Sequence, residues 1–258
     1  MRRGYAAAVD GPITIDVGLF AQDGWVKVQA KPDCARALVG ISTIDDEGRS
    51  ATAVRDAVVE AGPDGGLVVT LHGAGERSDR PGSGSGSVEI TVIAPLGSTL
   101  VARTDSAHIG AVGVADADLR TQSGDVSVPE AGRVFAETTS GKVTIQRAGD
   151  VTATSRSGAI SVGATDRVTA RTASGGILLG AVSQATARSV SGRLTIRDFR
   201  GGSVRADTTS GAITIHATAS GSIRAATVSG AIAITATPGT KLTLQTSTAT
   251  GQVTAPVH

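Results

Sequence analysis

The chain has 258 residues, with 24 Lys and Arg against 23 Asp and Glu, a formal net charge of +1. Apolar residues make up 40% and charged residues 18%, which excludes wholesale disorder, and the balanced charge excludes a general nucleic-acid binder with a basic face or tail. The single cysteine, Cys34, excludes an internal disulfide framework, and five aromatics, Tyr5, Phe20, Trp25, Phe135 and Phe199, leave little for stacking on sugars or bases.

The first ten residues carry Arg2-Arg3 but no apolar run of secretory length before Gly11-Pro12. No stretch approaches the ~18 apolar residues of a membrane span. The expectation is a cytoplasmic protein with no transmembrane segment, envelope-associated if the native start lies upstream. Residues 13–17, 25–28, 67–71 and 88–92 read as strands, each near glycine or proline. Residues 50–61, with Val54, Ala57, Val58 and Glu60, fit either a short helix or a strand. Arg80-Pro81-Gly82-Ser83-Gly84-Ser85-Gly86 has the composition of a flexible linker, and Pro95-Leu96-Gly97 ends a strand in a turn. Residues 1–105 are therefore expected to form an irregular, β-rich N-terminal cap or first coils.

From residue 106 the chain repeats. A Ser-Gly pair recurs every 17 residues, at Ser123-Gly124, Ser140-Gly141, Ser157-Gly158, Ser174-Gly175 and Ser191-Gly192. Ser210-Gly211 and Ser229-Gly230 follow at intervals of 19. Counting the serine as position one, the fourth and sixth positions are aliphatic (Val143 and Ile145, Ile160 and Val162, Ile177 and Leu179), with small or hydroxylic residues between them. This is the period of a half-buried strand. Positions twelve and fourteen form a second apolar pair, as in Val151 with Ala153 and Val168 with Ala170. In the 19-residue repeats that pair moves by two, to Val204 with Ala206 and Ile223 with Ala225. Position sixteen is a hydroxyl column, Thr121, Thr138, Ser155, Thr172 and Ser189, continued by Thr208 after the same shift of two.

Two strands in a repeat too short for a propeller blade predict an all-β, single-stranded β-solenoid over residues 106–258, with coils of about 17 residues. The Ser-Gly pairs then mark corners, glycine permitting a positive φ and serine bonding the turn backbone or its neighbour one rung away. The end of such a stack presents open strand edges, and Pro256 blunts one of them. A protein partner or self-association is expected at the C-terminal end. The charge points the same way, at −4 through Asp105 (10 basic, 14 acidic) and +5 beyond it (14 basic, 9 acidic).

Signs of catalytic chemistry are sparse. His72, His108, His216 and His258 show no metal-ligand spacing. The G-x-S-x-G elbow is missing, and Gly141-Lys142 is followed by Val143 rather than the hydroxyl residue of a phosphate loop. Asp116, Asp118, Asp125, Glu130 and Glu137 read as solvated charge rather than an acid pair or calcium site. The expectation is no catalytic residue, no metal and no cofactor. Arginine supplies the one functional pattern. Arg120, Arg171 and Arg188 recur at position fifteen, and Arg205 and Arg224 follow in the later coils. Sharing a face, they would form a basic strip for an anionic polymer or acidic partner. No aromatic interleaves with them, so specific nucleic-acid recognition is not expected.

Asp16-Val17-Gly18 with Trp25-Val26-Lys27-Val28, followed by Ser-Gly-x-Ile/Val-x-Ile/Val repeats, resembles the bacterial "putative adhesin" family of unknown function, over about residues 10–255. The resemblance implies a β-strand repeat solenoid and, for some members, a link to envelope stress. It offers no catalytic residue. The combined reading is a non-enzymatic, adhesin-like scaffold or binding surface. A secreted or envelope-associated adhesin binding cell-surface glycan is the alternative, and a polysaccharide-active solenoid enzyme is the rival from another class.

Overall fold

The computed structural model describes residues 1–62, 65–73 and 86–256 and is a β-solenoid. The 80–85 part of the linker-like run and His258 lie outside the described residues. The chain divides into two compact units, residues 1–132 and 133–258.

In the first unit every strand read from sequence is present, as β2 (Thr14–Phe20), β3 (Gly24–Lys31), β6 (Leu67–His72) and β7 (Val88–Pro95). Three further strands are β1 (Arg2–Asp10), β4 (Arg36–Thr43) and β5 (Val58–Ala61). The ambiguous segment holds both alternatives, since the helix α1 (Arg49–Arg55) precedes β5. Pro95-Leu96-Gly97 does turn, with Gly97 at φ 87° and the Ser98 N–H donating to the Pro95 carbonyl.

The pairing shows why this half looked irregular. β2 lies between β6 and β8 (Thr99–Thr104), parallel to both, so that Ile15 faces Leu67 on one side and Leu100 on the other. β3 likewise lies between β7 and β9 (His108–Thr121), with Val26 facing Ile90 and Ile109. The first coil of the chain is thus inserted between the second and the third. Its inward residues are buried like those of the later coils: Ile15, Val17, Leu19, Val26 and Val28.

β10 (Val126–Thr138) carries the chain into the second unit, where stacking follows chain order. β11 (Val143–Ser155), β12 (Ile160–Thr172) and β13 (Ile177–Ser189) pair in parallel at an offset of 17, Val143 on Ile160 on Ile177. β14 (Leu194–Thr208) begins in the same register. Each of these coils runs as one continuous strand rather than two short ones. In β11 the buried residues are Val143, Ile145, Ala148, Val151, Ala153 and Ser155, so the period lengthens from two to three on either side of Ala148. Those two slips bend the strand without breaking its ladder. They also create a further core column at position nine, Ala148, Thr165, Val182 and Phe199, the last facing buried Ala217 on the next coil, which the alternation argument did not identify.

Where the repeat grows to 19, the insertion falls at this bend. Val182 faces Phe199, but Gln184 faces Ser203, leaving Arg200, Gly201 and Gly202 against the single Ser183. Gly201 and Gly202 have φ of 95° and 94°, and a Cβ on Gly202 would lie 2.6 Å from the Ser183 carbonyl oxygen. The following coils then separate into two strands, β15 (Ile213–Ala217) with β16 (Gly221–Ser229), and β17 (Ile232–Ala236) with β18 (Leu242–Thr250). β19 (Val253–Thr254) pairs with β17.

The corners differ from the expectation. None of the glycines in the Ser-Gly pairs has positive φ. They are buried, except half-buried Gly230, and each backbone lies against the corner before it. A Cβ would fall 1.8 Å from the Gly141 oxygen at Gly158, 2.1 Å from Gly158 at Gly175 and 1.8 Å from Gly175 at Gly192. Gly211 and Gly230 are equally close, at 2.0 and 2.2 Å. In the first unit, Gly124 would meet the Ala107 oxygen at 2.0 Å. Glycine is required for clearance, not for handedness.

The serines of the pairs are exposed, and the turn is tied by the position-sixteen hydroxyls instead. The Gly158, Gly175 and Gly192 N–H groups donate to Ser155, Thr172 and Ser189 at 2.7, 3.1 and 2.8 Å. Thr172, Ser189, Thr208 and Thr227 in turn donate to the glycine carbonyl one rung earlier, at 3.3–3.4 Å. Thr172 and Ser189 therefore both donate and accept, which satisfies a buried hydroxyl in full.

Two predictions follow from the corner and the bend. Gly175→Ala is expected to lower unfolding stability by about 2–4 kcal/mol, and Ser174→Ala to change it by less than about 0.5 kcal/mol. Chemical denaturation of the two variants checks this, and equal midpoints would contradict the clearance argument. At the bend, the Asp198 carboxyl is held below its ordinary range, first by the Thr218 hydroxyl at 2.6 Å and then by Arg200 at 2.8 Å. A depressed folded-state pKa stabilises above the ordinary carboxylate value and is lost as pH falls through the depressed one. Asp198→Asn should therefore reduce stability at neutral pH and flatten its decline in acid, as read from melting temperature against pH.

Candidate functional site

Positions twelve, fourteen and sixteen point inward, so thirteen and fifteen share the outer face of the second half of each coil. In the second unit this face carries Arg171, Arg188, Arg205 and Arg224. Arg171 is the register partner of Arg188, and Arg205 that of Arg224, so each pair is one rung apart, ~4.8 Å along the stack. The two pairs occupy different columns. The insertion at the bend places Arg205 over Thr186, and Asp207 takes the column of Arg188. The Asp207 carboxylate lies 2.7 Å from Arg205 Nε and 3.4 Å from Arg188 Nε, joining the pairs into one diagonal strip. Among the described residues, Arg171 and Arg224 have no carboxylate partner.

Beside the strip is a shallow concavity of about 340 Å³ lined by Arg205, Arg224, Ser203, Ser222, Thr243 and Gln245, among others. Two guanidinium groups thus stand beside hydroxyl and amide groups that can donate or accept. Planar guanidinium forks suit carboxylate, sulfate and phosphate oxygens. The charge around them favours the same ligands. Residues 133–258 hold 13 Lys and Arg against 5 Asp and Glu, a net +8, whereas residues 1–132 hold 11 against 18, a net −7.

Arg120 belongs to the first unit, where it stacks on Arg103 and its Nε lies 3.1 Å from Asp118. Arg167 and Arg200 point to Asp150 and Asp198 near the bend. His108 stacks on Trp25 at 4.5 Å, His72 stacks on Phe20, and His216 bonds Thr235. Among the described residues no group of three His, Cys, Asp or Glu is placed to hold a metal, and no helix is long and apolar enough to cross a membrane. Sequence reasoning missed Asp207 and the polar lining of the concavity. The signal was available, because the two-residue shift of Val204 and Ala206 moves their outward neighbours with them.

Three solved structures match this chain over nearly its whole length at low identity. A "putative lipid binding protein" from Parabacteroides distasonis is 11% identical, with 98% of this chain and 96% of that chain covered and a TM-score of 0.50. A "putative adhesin" from Parabacteroides merdae is 12% identical over the same shares, with a TM-score of 0.49. Another from Bacteroides fragilis is 18% identical, covering 99% and 97%, with a TM-score of 0.38. No curated protein matches. Residues 112–258, more than half of the chain, match the family described as Toastrack DUF4097, and the chain belongs to that family.

Proposed function

We propose that the protein is a non-enzymatic, adhesin-like binding scaffold whose arginine face in residues 133–258 engages an anionic polymer. The observation that carries this reading is the stacking of Arg171 on Arg188 and of Arg205 on Arg224, bridged by Asp207 and bordered by the polar concavity. A rigid ladder holds the cationic groups at a fixed rung repeat, so a ligand with regularly spaced acidic groups can meet several at once without ordering a loop first. Asp207 acts as an internal competitor that keeps the central arginines oriented.

Retention on immobilised heparin, a sulfated polymer, tests the face. The native chain is expected to bind at low salt and to release as salt screens the contact. Arg171→Ser with Arg224→Ser should weaken binding at least tenfold, about 1.4 kcal/mol, at unchanged melting temperature. Asp207→Asn should strengthen it. Retention that is independent of salt, or unchanged by the double substitution, would count against the proposal.

Absence of catalysis and a cytoplasmic location belong to the same proposal. Incubation with neutral and acidic polysaccharides should generate no new reducing ends. Fractionated native cells should yield the chain with the cytosol. Recovery with wall or membrane material would favour the alternative of a glycan-binding adhesin.

A further inference from the structure

The first unit carries a second recognition feature, independent of the arginine face. The chain's only tryptophan, Trp25, stands on the outer face of its sheet and is 45% exposed. His108, its register partner on β9, stacks on the indole with ring centroids 4.5 Å apart. The Asp125 N–H donates to His108 Nδ1 at 3.0 Å and fixes that ring. On the other strand beside Trp25, Glu89 draws the Lys27 ammonium toward β7 at 2.5 Å, and Lys27 Nζ lies 5.6 Å from the indole centroid. Both side chains of this pair are exposed, and such pairs contribute little and are readily displaced.

The neighbouring surface is clear. Outward residues of β1, β4, β7, β3 and β9 fall into rows across the strands. Two residues along from Trp25, the row reads Gly4, Gly40, Thr91, Lys27 and Gly110. Unlike the corner glycines, these three have neither positive φ nor a crowded Cβ position. Among the described residues, the nearest atom to an added Cβ would be 3.8 Å away at Gly4, 4.0 Å at Gly40 and 3.9 Å at Gly110. Glycine weakens a strand interior, and here the backbone does not call for it. With Lys27 leaning out toward Glu89, the row is a shallow trough about 19 Å long over five strands.

We propose that Trp25 and this trough bind an uncharged polysaccharide. One sugar ring packs against the exposed indole beside Lys27 and Glu89, and its neighbours lie over the glycines. Lys27 and Glu89 offset each other's charge, so this site suits a neutral ligand where the arginine face suits an anionic one. A sugar offers apolar C–H groups to the indole and hydroxyls to the polar side chains around it, which both donate and accept. The apolar row beyond the trough, Leu38, Ile93 and Val112, is parted from Trp25 by the glycines and Lys27. It therefore forms no continuous apolar centre with Trp25, as a protein interface would need.

Trp25 also supplies the test, because tryptophan fluorescence reports this site alone. The probes are uncharged hexasaccharides of β-linked glucose, N-acetylglucosamine, xylose and mannose, titrated into the full chain at high salt, where the arginine face is screened. At least one is expected to shift the emission saturably and to bind at least tenfold more tightly than its monosaccharide. Arg171→Ser with Arg224→Ser should leave that titration unchanged, so the two sites stand or fall separately. Gly40→Ile with Gly110→Ile should raise the melting temperature, since β-branched residues replace glycine at open strand positions, and should weaken the hexasaccharide at least tenfold. Glycines with a purely structural role would not give that opposite pair of effects. Silence of all four probes, or equal binding by the isoleucine variant, would overturn the proposal. A monosaccharide bound as tightly as its hexasaccharide would also overturn it, by confining the ligand to the indole.

Discussion

The second unit depends on how closely one corner approaches the next. At Gly158, Gly175, Gly192 and Gly211 the space for a side chain is taken by the carbonyl of the preceding corner, at 1.8–2.1 Å from where a Cβ would lie. That approach sets the rung and brings Val143 over Ile160 and Ile177. It also places the Thr172 and Ser189 hydroxyls within reach of their own glycine N–H and the previous glycine carbonyl. A change at one corner is therefore felt as lost stacking on both neighbouring rungs, as expected of repeats stabilised chiefly by adjacent interfaces.

With inward columns committed to packing, outward columns carry few structural constraints, and charge gathers there. Three of the five acidic residues of the second unit, Asp150, Asp198 and Asp207, pair locally with arginines. Asp198 serves Arg200 and Thr218, and Asp207 joins Arg188 to Arg205. Guanidinium groups close in a stack repel one another, and Asp207 offsets that cost where the two pairs meet. The two-residue insertion did more than lengthen a bend. It moved Arg205 and Arg224 across to the neighbouring column, turning a straight row into a diagonal one.

Much of this was legible in the repeats. Alternation at positions four and six, and at twelve and fourteen, identified the inward columns, buried in the second unit through Ile234 and exposed only at the last coil, at Val253. The column at position nine was invisible because Ala148, Thr165, Val182 and Phe199 share neither size nor polarity. They fill a bend whose width varies. The role of the corner glycines was misread, since a one-letter pattern does not distinguish a residue needed for its torsion from one needed for its lack of a Cβ.

By itself the sequence determined the fold class, the coil length and the inward face of each regular strand. These rest on local period, and in a repeat the next rung reproduces the same period at a constant offset. Tertiary structure alone decided the order of the first coils, because residues 13–31 stack between segments 52–85 positions away and no repeat offset relates them. It likewise decided which arginines meet. Their grouping depends on where a two-residue insertion is absorbed, and the backbone settles that at the bend, where Gly201 and Gly202 can adopt positive φ.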